Sequence, residues 1–382
     1  MKESSFDIIC STHLMWDLHL FQRPQQIMSR LSQRHKILYF APVSILAYCK
    51  FKKVRKNRIV KVNENLTVFR PLVLPYGEEY PWIKELNKKI VIRFIKAFMK
   101  QNNFSNTFVL WLYTPLAYYL PGKLGEKAVV YDCMDDFKSF LGTPGYMETK
   151  EKEVVKAADI FFAGGETLLK NKGSNHKNAT CFPCGVEVDH FGKAQDTSKP
   201  KPTDMQNITG KILGYYGAVD ERIDYDLIHY LAKKNKNWSI VILGPIAKVK
   251  KPDFFDTTNN IHYLGSKDYK ELPSYCAHFD VCLIPFKMND PVTEHLNPTK
   301  TLEYLATGKP VISSNVPDIV KHFSDIVSIA DNYDTFAKLV ENELANPSEE
   351  KRLKGLEIVQ GKSWDAMVKG MESIIEEHLL KK

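Results

Sequence analysis

Asn297-Pro298-Thr299-Lys300-Thr301-Leu302-Glu303-Tyr304-Leu305-Ala306-Thr307-Gly308-Lys309-Pro310-Val311-Ile312 reads as a helix followed by a buried strand. Pro298 suits a first turn, where its missing N–H costs nothing, and Thr301 to Ala306 propagate the helix. Gly308 terminates it and Val311-Ile312 opens the strand. A helix start offers unpaired N–H groups to an anion. Thr299 and Lys300 lie at that start, and a lysine there opposes the dipole preference, so a bound anion would explain its placement. Glu303, one turn on, has the reach to accept hydrogen bonds from two adjacent ribose hydroxyls. The combination suggests a nucleoside diphosphate; the plainer alternative is an exposed Lys–Glu pair three residues apart.

Outward from this stretch, short apolar runs alternate with helical ones along the whole chain, the pattern of parallel α/β architecture. The first half predicts strands at 7–10, 37–40, 66–70, 108–112, 128–132, 160–163 and 180–182. The second predicts them at 212–216, 239–243, 261–264, 281–284, 311–313 and 327–329. With 382 residues there is room for two domains of ordinary size, each with its own core. They are placed at 1–195 and 205–362. The polar, proline-bearing stretch 192–210 reads as their linker.

Charge divides unevenly between the halves. Residues 1–195 hold 29 Lys and Arg against 18 Asp and Glu, a net of +11, which leaves −3 for residues 196–382 of the total +8. Lys50, Lys52, Lys53, Arg55, Lys56, Arg58 and Lys61 make one basic cluster. The stretch 82–100, with Ile83, Leu86, Ile90, Phe94 and Phe98 at helical spacing, makes another. Such a helix can lie on an anionic membrane surface, or simply be a surface helix with one solvated face. Nucleic acid is excluded as a partner: zinc-finger spacing, an RNA-binding aromatic signature and a basic patch interleaved with stacking aromatics are all missing from the sequence. No run of apolar residues reaches membrane-spanning length and no signal peptide precedes Phe6 to Cys10, so a cytoplasmic location is expected. Seven scattered cysteines read as reduced thiols, and the single C-x-x-C at Cys181 and Cys184 reads as a structural turn rather than a metal site.

Ligands of open α/β sheets bind beyond the carboxyl ends of the strands, so the loops there carry the chemical reading. After the 212–216 strand, Gly217 lets backbone approach a phosphate and Arg222 is placed to bind diphosphate oxygens, with a salt bridge to Asp224 or Asp226 as its alternative. Backbone groups from Gly265 to Lys267 read as a base-recognition edge. The 287–299 loop, with Glu294, His295 and Asn297 as its polar members, reads as a loop that contacts the bound ligand. In the first half, His13, Trp16, Asp17 and Arg23 surround the first strand-to-helix turn, and Asp132, Asp135 and Asp136 follow another strand. Should a reaction there require a general base, Asp135 is the first candidate, with His13 and Asp17 behind it. Asp136 suits a helix cap and Asp132 a brace for the turn.

Taken together, FQRPQQIMSRL (21–31), ADIFFAGGETL (158–168), GVEVDHF (185–191), GYYGAVDERID (214–224) and PTKTLEYLATGKPVISS (298–314) resemble the GT-B glycosyltransferases of the family 1 and family 4 kind, nearly throughout the chain. The order and spacing of the pieces carry the resemblance. Glu303 matches the second glutamate of that family's E-x7-E motif, while His295 stands where the first would be and Glu294 one place away. The resemblance implies two Rossmann-like doubly wound parallel-sheet domains facing across a cleft, with a C-terminal helix (364–382) returning to the first. It implies transfer of a sugar from a nucleotide-diphosphate donor, UDP-linked in the commonest case, to a saccharide or lipid-linked acceptor in bacterial surface-polysaccharide synthesis. It implies no cofactor beyond the donor itself and no metal. A catalytically inactive homologue that binds a nucleotide sugar or a partner is the alternative. A dinucleotide oxidoreductase is disfavoured because G-x-G-x-x-G is missing from both halves.

Overall fold

The β-branched and aromatic runs named above all form strands, most of them fully buried between flanking helices as parallel sheets require. The computed structural model describes residues 6–17, 21–52, 55, 58–140, 142–294 and 299–382. Its strands are β1 (Asp7–Ser11), β2 (Ile37–Phe40), β3 (Val43–Ser44), β4 (Ile59–Lys61), β5 (Leu66–Phe69), β6 (Leu72–Val73), β7 (Phe108–Leu112), β8 (Ala128–Cys133), β9 (Ile160–Ala163) and β10 (Ala179–Cys181). The second half adds β11 (Lys211–Tyr216), β12 (Trp238–Leu243), β13 (Ile261–Gly265), β14 (Val281–Ile284), β15 (Val311–Ser314) and β16 (Ser328–Ala330).

The chain divides into two units, one of residues 1–138, 143–182 and 368–382, the other of 139–142 and 183–367. In the first, one sheet runs β10-β9-β8-β7-β1-β2-β5-β4, parallel except for β4 against β5, and β3 pairs with β6 in a separate two-stranded ribbon. In the second, the order is β13-β12-β11-β14-β15-β16, parallel throughout. Chain order reverses beside β1 in the first sheet and beside β11 in the second. At such switch points the connections leave in opposite directions and open a crevice at the strand ends.

The sequence placed the first domain's end at 195 and a linker at 192–210. In the structure, residues 183–195 belong to the second unit, and Val186, Phe191, Ala194, Met205 and Ile208 are buried in its core. Single apolar residues inside polar sequence anchor this stretch without showing a period. The helix Pro81–Gln101 turns one side of its apolar stripe to the core. It buries Ile83, Val91 and Ile95, and Phe94 and Phe98 meet Phe69 of β5 at 6.0 and 6.2 Å between ring centres. Part of the stripe is spent on the first unit's own core, while Leu86 and Phe94 stay exposed and Lys84 and Lys88 are half-buried.

One buried ion pair and one half-buried pair fix the first unit. Arg23 meets Asp132 at the end of β8 in a forked pair, with Nη2–Oδ1 at 2.8 Å and Nε–Oδ1 at 3.0 Å, and also donates to the Phe182 carbonyl at 2.6 Å. Arg23 is thereby a brace, and Asp132 the brace for its turn. The second pair holds the final helix, Trp364–Leu380. Glu372 accepts from Arg34 Nε at 2.9 Å and lies 2.6 Å from His35 Nε2, whose Nδ1 is 2.8 Å from the Phe6 carbonyl. Burial pushes the Glu372 carboxyl up, but the bonds from Arg34 and His35 prevail and hold it below the ordinary 4.5.

A carboxyl with a depressed native pKa stabilises the fold fully above its unfolded value, and that contribution fades as pH falls through the native one. Glu372→Gln should therefore be less stable than the parent at neutral pH. In urea titrations followed from neutral pH to about pH 3, the difference should shrink across the acidic limb. A gap that stays constant over that range would refute the assignment.

Candidate functional site

The second unit's switch point is closed by backbone. Gly217, directly after β11, has φ +143°, and Gly244, directly after β12, has φ +133°. A Cβ on Gly244 would stand 1.8 Å from the Gly217 carbonyl oxygen, and one on Gly217 would stand 2.0 Å from Lys300 Cε and 2.7 Å from its Nζ. Only glycine fits either place. The Lys300 side chain thus lies directly over Gly217.

Lys300 comes from the helix Thr299–Ala306, which begins beyond β14 and ends with Gly308 at φ +70°. The helix is seated on β11 by its own tyrosine: the backbone N–H of Tyr216 donates to Tyr304 Oη at 2.9 Å. Tyr216 in turn donates its hydroxyl to Glu303 Oε2 at 2.6 Å. Glu303 is buried, and burial pushes its carboxyl above the ordinary range against the pull of the Tyr216 hydroxyl and Lys300. Burial, then the Arg222 guanidinium, hold the Lys300 ammonium below the usual lysine range.

Arg222 is fixed by a residue the sequence reading did not consider. Asp220 receives its Nε at 2.9 Å and Nη2 at 2.5 Å, a forked pair two residues apart. Asp224 is otherwise engaged, capping the helix Tyr225–Lys234 through the Leu227 N–H at 2.9 Å and accepting from Tyr333. An i,i+2 Asp–Arg pair was visible in the sequence, but helix capping by Asp224 was equally legible and marks that carboxylate as occupied. Tyr216 and Tyr304 gave no such signal, because buried tyrosines in a strand and a helix look like core.

Two cations therefore converge beside the buried Gly217, one braced by Asp220 and the other held against its own desolvation. Like charges this close are unfavourable unless an anion neutralises them. Gly265 ends β13 at φ +71° with open space where a Cβ would stand. Thr299 opens the helix, next to residues that the structure does not describe. His295 and Asn297 lie outside the described residues; Glu294 closes the short helix Pro291–Glu294, and only its backbone is described.

In the first unit a cavity of about 420 Å³ opens at the carboxyl ends of β1 and β7. Thr12, His13 and Thr114 line it, with Lys84, Lys88, Tyr118 and Tyr146 on other walls. His13 packs edge-on to Phe137 at 5.1 Å. Asp17 and Asp135 are not among the lining residues. Asp17 pairs with the buried Arg70. Asp135 is half-buried, and its carbonyl lies 3.7 Å from Cys133 Sγ. Asp136, read as a helix cap, instead meets Lys172 at 2.8 Å, and Lys172 bridges on to Glu151 at 2.7 Å. The catalytic candidates thus divide into His13 on the wall and two carboxylates set apart from it.

Residues 211–346 match the family model "Glycosyl transferases group 1". The Bacillus subtilis (strain 168) protein named "Putative teichuronic acid biosynthesis glycosyltransferase TuaH" is 25% identical over 227 residues, an alignment spanning 56% of each chain. Among solved structures, sucrose-phosphate synthase from Thermosynechococcus elongatus superposes with a TM-score of 0.74 at 14% identity, covering 99% of this chain and 100% of that one. The E. coli trehalose-6-phosphate structure with bound UDP-2-fluoro glucose gives 0.68 at 11% identity, over 97% and 99%. Anabaena HepE, in complex with UDP and glucose, gives 0.66 at 12% identity over the same shares. The chain has the GT-B fold, and the group 1 glycosyltransferase model matches its 211–346 segment.

The geometry makes Gly217 a sensitive probe of Lys300. Gly217→Ala should displace the lysine and lower nucleoside-diphosphate affinity at least about tenfold, while Lys300→Ala and Glu303→Ala should each cost about 1.5–3 kcal/mol of binding. Calorimetry with UDP on folded variants checks this. Unchanged affinity in all three would mean that the crevice over Gly217 is not the nucleotide site.

Proposed function

We propose that this protein transfers a hexosyl group from a nucleoside-diphosphate sugar, UDP-linked in the first instance, to a saccharide or lipid-linked saccharide in bacterial surface-polysaccharide synthesis. The observation that carries the reading is Lys300 lying over Gly217, beside the Asp220-braced Arg222 and one turn from Glu303. The group 1 match over 211–346, the relation to TuaH and the UDP-bearing structural neighbours support it.

In this reading the acceptor oxygen forms its bond to the anomeric carbon as the bond to the diphosphate oxygen breaks. Negative charge grows on the leaving diphosphate, and Lys300, Arg222 and the first-turn N–H groups of Thr299–Ala306 are fixed in advance to receive it. Tyr216 occupies one oxygen of Glu303, which leaves Oε1 for a ribose hydroxyl. If the configuration inverts, the acceptor proton goes to His13, the candidate base on the cavity wall, with Asp135 as the other choice.

A panel of isotope-labelled UDP-hexoses tests this through release of UDP, by transfer or by slow hydrolysis. His13→Asn should lower turnover about a hundredfold while leaving UDP affinity unchanged. The same loss in Asp135→Asn, with His13→Asn near normal, moves the base to Asp135. UDP binding without turnover of any donor favours the inactive-homologue reading.

The same reading places the first unit on an anionic membrane surface, where a lipid-linked acceptor would be met. Among the described residues no helix is long and apolar enough to cross a membrane. The support is instead Lys50, Lys52, Arg55 and Lys61, all exposed, in a unit that also exposes Phe51, Ile59 and Trp82. Binding to anionic vesicles should weaken as salt rises and should fall in Lys52→Gln/Arg55→Gln without loss of UDP affinity. Co-sedimentation measures it, and a protein left in the supernatant at low salt removes the membrane from the reading.

A further inference from the structure

The first unit's cavity has cations and aromatic rings arranged around one another. Lys84 and Lys88 stand on its wall one turn apart on Pro81–Gln101, and Lys150 comes from the helix Tyr146–Ala157 behind it. All three ammonium groups surround the ring of Tyr118, at 5.6, 4.9 and 5.2 Å from its centre, and Lys150 also lies 4.2 Å from the centre of Tyr146. Their carboxylate partners are fewer. Glu78 is shared between Lys150 at 2.8 Å and Lys84 at 3.2 Å, and Glu85 meets Lys88 at 2.6 Å from a side chain that is 62% exposed.

The buried Lys150 is the closer partner of Glu78, so the carboxylate on the wall is already compensated from behind. The exposed Lys88–Glu85 pair is worth little in water. Lys84, Lys88 and Lys150 together share two carboxylates, Glu78 and Glu85, so one positive charge is in excess around the cavity. The other walls offer hydroxyls on Ser44, Thr12 and Thr114 and the faces of Tyr118 and Tyr146. Tyrosine rings suit the C–H faces of sugars, and ammonium groups suit carboxylate or phosphate oxygens.

We propose that this cavity is the acceptor subsite and is built for an anionic saccharide, one bearing a carboxylate or a phosphate, with Lys84 and Lys88 as the residues that select the charge. The proposal rests on the acceptor half of the function proposed above, and its location is independent of the donor site. A neutral sugar would leave the excess charge uncompensated, whereas an anionic one neutralises it.

The test is calorimetry on the intact chain with methyl glucuronide, glucose 6-phosphate and methyl glucoside, and with UDP as a separate titrant. At least one anionic sugar should bind about tenfold or more tightly than methyl glucoside, a preference lost in Lys84→Gln/Lys88→Gln and kept in Lys84→Arg/Lys88→Arg. The tighter of the two anionic probes assigns carboxylate or phosphate. UDP affinity should be the same in all three proteins. Equal affinity for charged and neutral sugars, or an anion preference that survives the Gln pair, overturns the proposal. Anionic sugar binding without UDP binding supports this cavity while refuting the donor reading; UDP binding without anionic sugar binding does the reverse.

Discussion

The close approach of the loops behind β11 and β12 is the constraint on which the second unit's site depends. A Cβ on Gly244 would enter the Gly217 carbonyl, and one on Gly217 would enter the Lys300 side chain. Both glycines stand at positive φ, where side chains are strained as well as crowded. The two loops thereby pack backbone against backbone at a switch point. Lys300 crosses it because the helix Thr299–Ala306 is tied to the same strand through Tyr304 and, one residue earlier, through Glu303 and Tyr216.

The electrostatics follow from that geometry. Lys300 is held out of water beside Arg222, and each opposes the other's charge. Asp220 compensates Arg222 in a forked pair, and Glu303 and Asp220 offset part of the charge on Lys300. Stability and ligand demand are thus in tension at one place, as is common where binding groups are fixed before the ligand arrives. The first unit behaves otherwise: Asp132 is matched by Arg23, and Glu372 is held by Arg34 and His35, so that these groups serve as braces.

The strands of both sheets were legible because parallel strands buried on two faces read as short, continuous apolar runs. The pieces the sequence did not reveal are short or irregular. β3, β4 and β6 are two or three residues long and only half-buried or exposed, too brief for any period. The stretch 183–210 docks through isolated residues such as Phe191 and Met205, and the stripe on Pro81–Gln101 was visible without any indication of what covers it. Amphipathicity states that a face is covered, and the covering element is a matter of topology.

By itself the sequence determined the two doubly wound sheets, the helix that carries Lys300 and Glu303, and the loop that carries Gly217 and Arg222. Periodicity and turn chemistry are local properties, and each of these features is local. Tertiary structure alone decided that Lys300 lies over Gly217, 83 positions earlier in the chain, and that Asp220 rather than Asp224 holds Arg222. It also decided that His13, and not Asp17 or Asp135, stands on the cavity wall, and that Lys84, Lys88 and Lys150 gather around a single tyrosine. These are juxtapositions of residues far apart in sequence, set by which strands neighbour one another and how their connections turn, and a local pattern contains no record of them.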